Sequence, residues 1–258
     1  ADDDSNETVQ FHFSMDPAKE IFQFDERTNF NGIVLQTFHL PAARVSEITK
    51  RQNSDDGWLT IEARCNDVVS EGRIKLLASS GLSVVSDIDD TIRVTEILKG
   101  HATVLRNTFL KAFQAVEGMA DRYRSYGENV DFHYVSGGPW QLYRVLAPFL
   151  INESGFPTGT FHMRNIPKNP FEKESWHAWR DMFTGDSTED HKKNEIMALL
   201  EACPGRRLIL IGDSGEKDPE IFEWIRNKYP SRIDKILIRD VRNLPKSPRL
   251  KGMTIIPV

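Results

Sequence analysis

The stretch LSVVSDIDDTI, residues 82–92, is an apolar β-branched run that ends in clustered carboxylates. Val84 and Val85 are typical of an inner strand of a parallel sheet, so the acidic residues are expected where that strand ends. In open α/β sheets, ligands bind at the carboxyl ends of the strands. Side chains two positions apart leave a strand on the same face, so Asp87 and Asp89 are expected to converge on one ligand. Carboxylates this close repel one another unless a cation holds them ionised, which predicts a Mg²⁺ site.

This pair of carboxylates fits phosphoryl transfer. One carboxylate can attack phosphorus and form an aspartyl-phosphate, which splits one difficult displacement into two easier ones, while the other transfers a proton. We therefore expect Asp87 to be the nucleophile and Asp89 the proton carrier. The pattern Asp87-x-Asp89-x-Thr91 resembles the first motif of the haloacid dehalogenase superfamily of phosphohydrolases. An acidic turn or a Ca²⁺ loop is the alternative, although the twelve-residue ligand pattern of an EF-hand is absent.

A second apolar strand, residues 131–136, ends at Ser136 and is followed by Gly137, Gly138 and a helical pattern from Trp140. A hydroxyl group at a strand end, next to free backbone N–H groups, can hold a phosphoryl oxygen. We therefore expect Ser136 and Gly137 to bind the phosphoryl group. The alternative is that Ser136 caps a helix.

Residues 191–196, HKKNEI, begin a helical pattern that ends near Ala202. A lysine beside the acidic cluster would neutralise the attacking carboxylate and the charge of the phosphoryl group. Lys192 lies four positions before Ile196 and shares its apolar face, so we expect Lys192 to point inward and Lys193 to face solvent. Which of the two lysines acts stays open at this point, and a solvated charge pair is the alternative.

The run Leu208-Ile-Leu-Ile211 predicts another buried strand, and the sequence GDSGEKD follows it at residues 212–218. Two aspartates around a glycine-rich turn at a strand end are typical of ligands for a hard cation. Asp213 is expected to bind the metal directly. Asp218 either binds the metal through water or caps the helix expected over residues 218–229, because Pro219 is a typical first helical residue.

Four sequence blocks together resemble the catalytic domain of the actin-patch-associated phosphatidate phosphatases: SDIDDTI, FHYVSGGPWQLY, HKKNEI and LILIGDSGEKDPEIF. The resemblance implies a Mg²⁺-dependent phosphatase that hydrolyses phosphatidate to diacylglycerol and phosphate through an aspartyl-phosphate. It implies catalytic roles for Asp87, Asp89, Ser136 and Lys192, substrate binding by Thr91, Gly137, Ser136 and Lys192, and metal binding by Asp87, Asp89, Asp213 and Asp218. The alternatives are a phosphatase for a soluble phosphomonoester and a catalytically inactive binding module on membranes or actin-associated complexes.

Strand and helix patterns alternate from residue 81 onward. The strands are predicted at residues 82–87, 131–136, 207–212 and 235–239, and the helices near 101–113, 117–126, 139–152, 188–202 and 218–229. Such alternation predicts a doubly wound parallel sheet covered on both faces. We expect residues 81–258 to form a haloacid dehalogenase-like catalytic domain.

The first 80 residues have a different pattern. Residues 1–9 begin with acidic side chains and are expected to be disordered. Residues 32–40 and 58–65 are strand-like, with residues 52–57 as a turn, and no helical pattern separates them. We expect residues 10–80 to form a small antiparallel β-sandwich. It carries no catalytic constellation, so a structural role or the docking of protein partners is expected.

Residues 160–186 are expected to form a cap or lid beside the site. Trp176, Trp179, Met182 and Phe183 fit one face of a helix. This face either packs on the core or lies in a membrane interface, with its tryptophans at headgroup depth and nearby lysines on anionic lipid.

The 258-residue chain has a formal net charge of -5 and a pI near 5.9, so it lacks the basic character of a nucleic-acid-binding protein. No apolar run reaches the roughly 18 to 20 residues of a membrane span. Cys65 and Cys203 lie in different predicted domains, which argues against a disulfide framework. With the lipid substrate that the resemblance implies, these features predict a cytoplasmic protein that is peripheral to membranes. Secretion after signal cleavage, with Ala1 as the mature N-terminus, is the alternative.

Overall fold

The computed structural model describes residues 6–16, 18–29, 32–100, 103, 106–107, 111–165 and 186–256. The chain divides into two compact units, Ala1–Leu77 and Ala78–Val258. The acidic beginning of the chain, residues 1–5, lies outside the described residues, so the disorder expected for residues 1–9 stays a prediction there.

The first unit contains an antiparallel sheet of four strands in the order β2-β1-β3-β4. The strands are β1 (Val9–Phe13), β2 (Phe22–Gln23), β3 (Trp58–Cys65) and β4 (Val68–Lys75), and one helix, α1 (Ala42–Gln52), precedes β3. Ile48 of α1 is buried with Phe11, Phe13 and Leu59 of the sheet. In the described part of this unit a helix therefore covers the buried face of a single sheet, where we predicted the second sheet of a sandwich.

The strand predicted at residues 58–65 is confirmed by β3, whereas the strand predicted at residues 32–40 is wrong. Residues 32–40 contain no strand, and their apolar side chains do not share one environment. Phe38 and Leu40 pack against the aromatic core, while Leu35 is 92% exposed. The turn predicted at residues 52–57 joins α1 to β3, not two strands.

The second unit contains a parallel sheet of six strands in the order β10-β9-β8-β5-β6-β7. Its strands are β5 (Ser80–Asp87), β6 (Val130–Pro139), β7 (Gly159–Arg164), β8 (Gly205–Asp213), β9 (Ile233–Arg239) and β10 (Thr254–Ile256). The four predicted strands are confirmed. From β5 the chain first adds β6 and β7 on one side and then β8, β9 and β10 on the other. The order therefore reverses between β5 and β8, where ligands bind in doubly wound sheets.

Helices cover both faces of this sheet. They are α2 (Met119–Arg124), α3 (Tyr143–Pro148), α4 (Asp186–Ala202) and α5 (Asp218–Lys228). Val84 packs in a core that includes residues of α2 and α3. Val85, its neighbour on the opposite face of β5, packs in a second core formed with α4 and α5. The prediction of a parallel sheet buried on both faces is thus confirmed.

The predicted lid over residues 160–186 is only partly within the described residues. Residues 160–164 belong to the edge strand β7 and not to a lid, because they pair with β6 from His133 onward. The segment with Trp176 and Trp179 lies outside the described residues, as does most of the helix predicted at residues 101–113. In the part of the chain that the structure describes, we find no helix whose length and apolar character would let it cross a membrane.

Candidate active site

Asp87 is the last residue of β5, and its side chain is buried at the carboxyl edge of the sheet. One carboxylate oxygen, Oδ1, lies 2.7 Å from the Lys192 ammonium. The other, Oδ2, accepts a hydrogen bond of 2.9 Å from the Thr91 hydroxyl. Burial raises the pKa of Asp87, and the charge of Lys192 opposes this effect. One oxygen of Asp87 is therefore hydrogen-bonded, and the other is paired with a buried ammonium.

Lys192 is buried on the inner face of α4, one helical turn before the core residue Ile196. Its Nζ also contacts Glu216 at 2.8 Å and Asp218 at 2.6 Å. Burial alone would lower the pKa of Lys192, but the carboxylates of Asp218, Asp87 and Glu216 outweigh it and hold the pKa well above its usual value. A buried ammonium that is paired in this way remains charged.

Lys193 has a different environment. Its Nζ pairs with Glu189 at 2.6 Å and lies 5.0 Å from the ring centre of Trp224. The structure therefore brings Lys192, and not Lys193, to Asp87, as predicted. Lys193 was predicted to face solvent, but its side chain is only 18% exposed.

The end of β8, the loop after it and the start of α5 supply three more carboxylates, which belong to Asp213, Glu216 and Asp218. Asp213 accepts hydrogen bonds from the backbone N–H groups of Gly215 and Glu216 through Oδ1, while its Oδ2 is buried without a hydrogen-bond partner among the described residues. Burial raises the pKa of Asp213. Asp218 accepts the Asp213 N–H at 3.1 Å through Oδ2. Since its other oxygen contacts Lys192, Asp218 belongs to this cluster, and the structure shows no side-chain cap at the start of α5.

Gly212 allows this cluster to be compact. A Cβ atom at this position would lie 2.7 Å from the Cβ of Asp218, a distance that real side chains do not reach. Gly137 has a similar position on the other side of the site, because a Cβ there would lie 2.7 Å from Cγ2 of Thr188 on α4. Both glycines therefore permit close approaches between elements that carry site residues.

Asp89 lies apart from the Lys192 cluster. Its Oδ1 accepts the Arg93 guanidinium, with 3.1 Å to Nε, and its Oδ2 accepts the Ser136 hydroxyl at 3.3 Å. Ser136 lies within β6 and accepts the Gly138 N–H at 2.9 Å. A helix-capping role for Ser136 is therefore wrong, because the following 3₁₀-helix starts only at Trp140. The structure joins Ser136 to Asp89 and leaves the Asp89 side chain 18% exposed.

Asp87, Glu216 and Asp218 form a group whose oxygens lie within 4.8 Å of one another and could hold a metal ion. In the described residues this group includes neither Asp89 nor Asp213, two of the four predicted metal ligands. Glu216 was not among the predicted site residues. Its only signal in the sequence is its place between Asp213 and Asp218.

A family model described as the catalytic domain of phosphatidate phosphatase APP1 matches residues 82–240, more than half of the chain. The chain belongs to this family. The match includes every residue of the site above and confirms the resemblance seen in the sequence.

Two fungal proteins are similar to most of this chain. Phosphatidate phosphatase APP1 of Saccharomyces cerevisiae is 28% identical over 187 residues, which cover 71% of this chain and 30% of the relative. An uncharacterized protein of Schizosaccharomyces pombe is 26% identical over 237 residues, which cover 86% of this chain and 35% of the relative. The chain thus spans about a third of the length of either relative.

A polar clamp that the sequence did not reveal joins β7 to the helix that carries Lys192. His162 of β7 contacts Glu195 of α4 at 2.8 Å and Thr160 at 2.9 Å. The hydrogen bond from His162 lowers the pKa of Glu195, and burial lowers the pKa of the adjacent His191. These contacts fix α4 against the edge of the sheet, one turn away from Lys192.

Proposed function

We propose that the chain is a Mg²⁺-dependent phosphatidate phosphatase that produces diacylglycerol and phosphate. The observation that carries this proposal is the buried Asp87 carboxylate, which contacts Lys192 and Thr91 at the topological switch point of the parallel sheet. The family match supports the same interpretation. The haloacid dehalogenase-like character of the domain is part of the proposal, and the strand order supports it.

Asp87 acts as the nucleophile. An oxygen of its carboxylate forms a bond to phosphorus while the bond from phosphorus to the ester oxygen breaks. Lys192 supports this step because its ammonium offsets the repulsion between the carboxylate and the anionic phosphoryl group. The product of the step is an aspartyl-phosphate on Asp87 and a diacylglycerol alkoxide that needs a proton.

Asp89 carries that proton. It donates a proton to the leaving ester oxygen in the first step, and it then accepts a proton from the water that attacks the aspartyl-phosphate. The second attack breaks the bond between phosphorus and Asp87 and restores the free carboxylate. The partial exposure of Asp89 and its hydrogen bond from Ser136 support a position beside the substrate, with Ser136 and Gly137 near the phosphoryl oxygens.

The acidic residues of the site fit a divalent cation. If the carboxyl groups of Asp87, Asp213, Glu216 and Asp218 are all ionised, the single ammonium of Lys192 compensates only one of their charges. In addition, one buried oxygen of Asp213 has no hydrogen-bond partner within the described part of the chain. An all-oxygen donor set suits Mg²⁺, which would be held by Asp87 and Asp213 with Glu216, Asp218 and the backbone carbonyl of Asp89 in support. When bound, the cation supplies positive charge to the phosphoryl group.

The lipid substrate is proposed from the family and from the name of the yeast relative. A phosphate ester in a bilayer requires the protein to reach a membrane surface, so we propose that it works at the cytoplasmic face of membranes as a peripheral protein. The first unit carries no part of the proposed chemistry and is proposed as a docking module for protein partners.

The test is a screen of phosphate release with and without Mg²⁺, comparing phosphatidate in mixed micelles with soluble phosphate esters. We expect release from phosphatidate that requires Mg²⁺ and that disappears in the Asp87→Asn variant. A clear preference for soluble esters would overturn the lipid assignment. Release that is unchanged after removal of divalent cations would overturn the metal assignment.

A further inference from the structure

Two large aromatic side chains lie exposed directly after the strand that carries Ser136. Trp140 is 39% exposed and Tyr143 is 43% exposed. Their rings contact each other with centres 5.7 Å apart, and Tyr143 also packs on Phe161 at 5.3 Å. Phe161 in turn contacts the fully buried Tyr134 at 5.2 Å. A chain of ring contacts therefore anchors this exposed pair to the core.

We infer that Trp140, Tyr143 and the adjacent Arg144 form an interfacial patch that seats the catalytic unit in the headgroup region of a lipid bilayer. The inference rests on the proposed function, because it assumes that the substrate is a membrane lipid. Tryptophan and tyrosine suit this region because each combines an apolar ring with a polar group that stays hydrated. A pair held rigid by packing loses little conformational entropy when it inserts.

The patch lies close along the chain to Ser136, because Trp140 directly follows β6. Trp140 follows Ser136 by four residues, which span at most about 14 Å of extended chain. The headgroup layer on each side of a bilayer is roughly 5 to 8 Å thick, and interfacial side chains enter it by about 5 to 10 Å. A bilayer seated on Trp140 therefore lies within about 14 Å of Ser136, whose hydroxyl contacts Asp89.

Charge favours this surface as well. The chain has a formal net charge of -5, so an anionic membrane repels it as a whole. Arg144 is exposed next to Tyr143 and provides local attraction to anionic headgroups. The patch thus combines aromatic insertion with one basic side chain at the edge of the sheet where the site lies.

Trp224 provides a matched control within the same unit. It is also 39% exposed, but it lies on α5, and the ammonium groups of Lys193 and Lys228 each lie 5.0 Å from its ring centre. A general effect of removing an exposed tryptophan would appear equally at Trp224 and at Trp140.

The test is co-sedimentation of the full chain with vesicles of phosphatidylcholine and phosphatidylserine that contain no phosphatidate. We expect the variant with Trp140→Ala and Tyr143→Ala to lose about tenfold in vesicle partitioning, which corresponds to about 1.4 kcal/mol. Trp224→Ala is expected to bind as the wild type does. Thermal melting checks the fold, and the single Trp140→Ala variant, which keeps the contact of Tyr143 with Phe161, serves if the double variant does not fold.

Equal binding of the wild type and the patch variant would overturn the inference, as would equal losses at Trp140 and Trp224 or the absence of vesicle binding by the wild type. These outcomes are separate from failure of the proposed function. If the proposed function failed and the inference held, the wild type would bind vesicles through the patch but release no phosphate from phosphatidate.

Discussion

Replacing Lys192 by methionine tests the central electrostatic contact of the site. The side chain keeps its approximate volume but loses the ammonium that contacts Asp87, Glu216 and Asp218 at 2.6 to 2.8 Å. Removing one partner from a buried ion pair leaves uncompensated charge and costs about 3 to 5 kcal/mol of stability. For a unit of this size, each kcal/mol lowers the melting temperature by about 2 to 4 °C, so we expect a fall of about 6 to 20 °C at neutral pH.

The loss should depend on pH in a defined direction. Burial raises the pKa of Asp87 and Asp213, and the variant lacks the charge that opposes this effect. A carboxyl group with a raised pKa in the folded state binds more protons there than in the unfolded state. Its contribution to stability is therefore fully present below the unfolded pKa of about 4 and is lost as the pH rises through the folded pKa. Lys192→Met should regain stability on acidification toward that value.

The assay is thermal melting of wild type, Lys192→Met and the matched Lys193→Met between neutral and mildly acidic pH. Lys193 pairs with Glu189, and both side chains are partly exposed; a solvent-accessible pair contributes about 0 to 1 kcal/mol. Phosphatase activity should fall by about 10² to 10³ for Lys192→Met and change little for Lys193→Met. Equal destabilisation by the two substitutions, or a Lys192→Met protein that is most stable at high pH, would refute the reasoning.

Three further predictions concern other parts of the site. Asp89→Asn should lower the hydrolysis rate by about 10² to 10⁴ for a poor leaving group and by less for a good one; equal losses with both kinds of ester would exclude the proton-transfer role. Gly212→Ala should reduce activity and destabilise the fold by about 1 to 3 kcal/mol, because the new Cβ would displace Asp218. An unchanged melting temperature with full activity would contradict this packing argument. Glu195→Gln should remove an acid-sensitive contribution to stability, because His162 lowers the pKa of Glu195. That contribution is present above about pH 4.3 and is lost as the pH falls below this value. If the clamp had no such role, the melting temperatures of the wild type and the variant would fall in parallel at decreasing pH.

The parallel sheet and the place of the site could be predicted because two strands carry an unambiguous signal. Val84 and Val85 are buried on opposite faces of β5, and Leu210 and Ile211 are fully buried in β8. Continuous apolar runs of this kind are typical of strands covered on both faces. The topology then brings the ends of β5 and β8 together, so the side chains that follow them meet without any further information.

Strands and helices with a weak hydrophobic pattern could not be predicted from the sequence. Most residues of β4 are exposed, so no alternation marks it as a strand. The helix α1 buries only Ile48, which leaves too short an apolar stripe to recognise. In β7, Met163 is the only buried residue, because an edge strand is covered less completely. Such elements depend on tertiary contacts more than on their own periodicity.

Glu216 and Arg93 show the same limit at the level of side chains. Glu216 lies inside a recognised motif and Arg93 directly follows one, yet their roles depend on the direction in which each side chain points. Glu216, in the loop before α5, meets Lys192, which is 24 residues earlier on α4. Arg93 meets Asp89 through a local turn in which Asp90 adopts a positive φ of 55°. Spacing along the chain does not encode either contact.

The initial rate of Mg²⁺-dependent phosphate release from phosphatidate by the wild type and by Asp87→Asn tests the central claim most directly. The substitution removes the attacking oxygen while keeping the size of the side chain, and circular dichroism checks that the variant is folded. The account predicts turnover by the wild type and no release above background by the variant. Release by a folded Asp87→Asn protein within about tenfold of the wild-type rate would contradict covalent catalysis by Asp87.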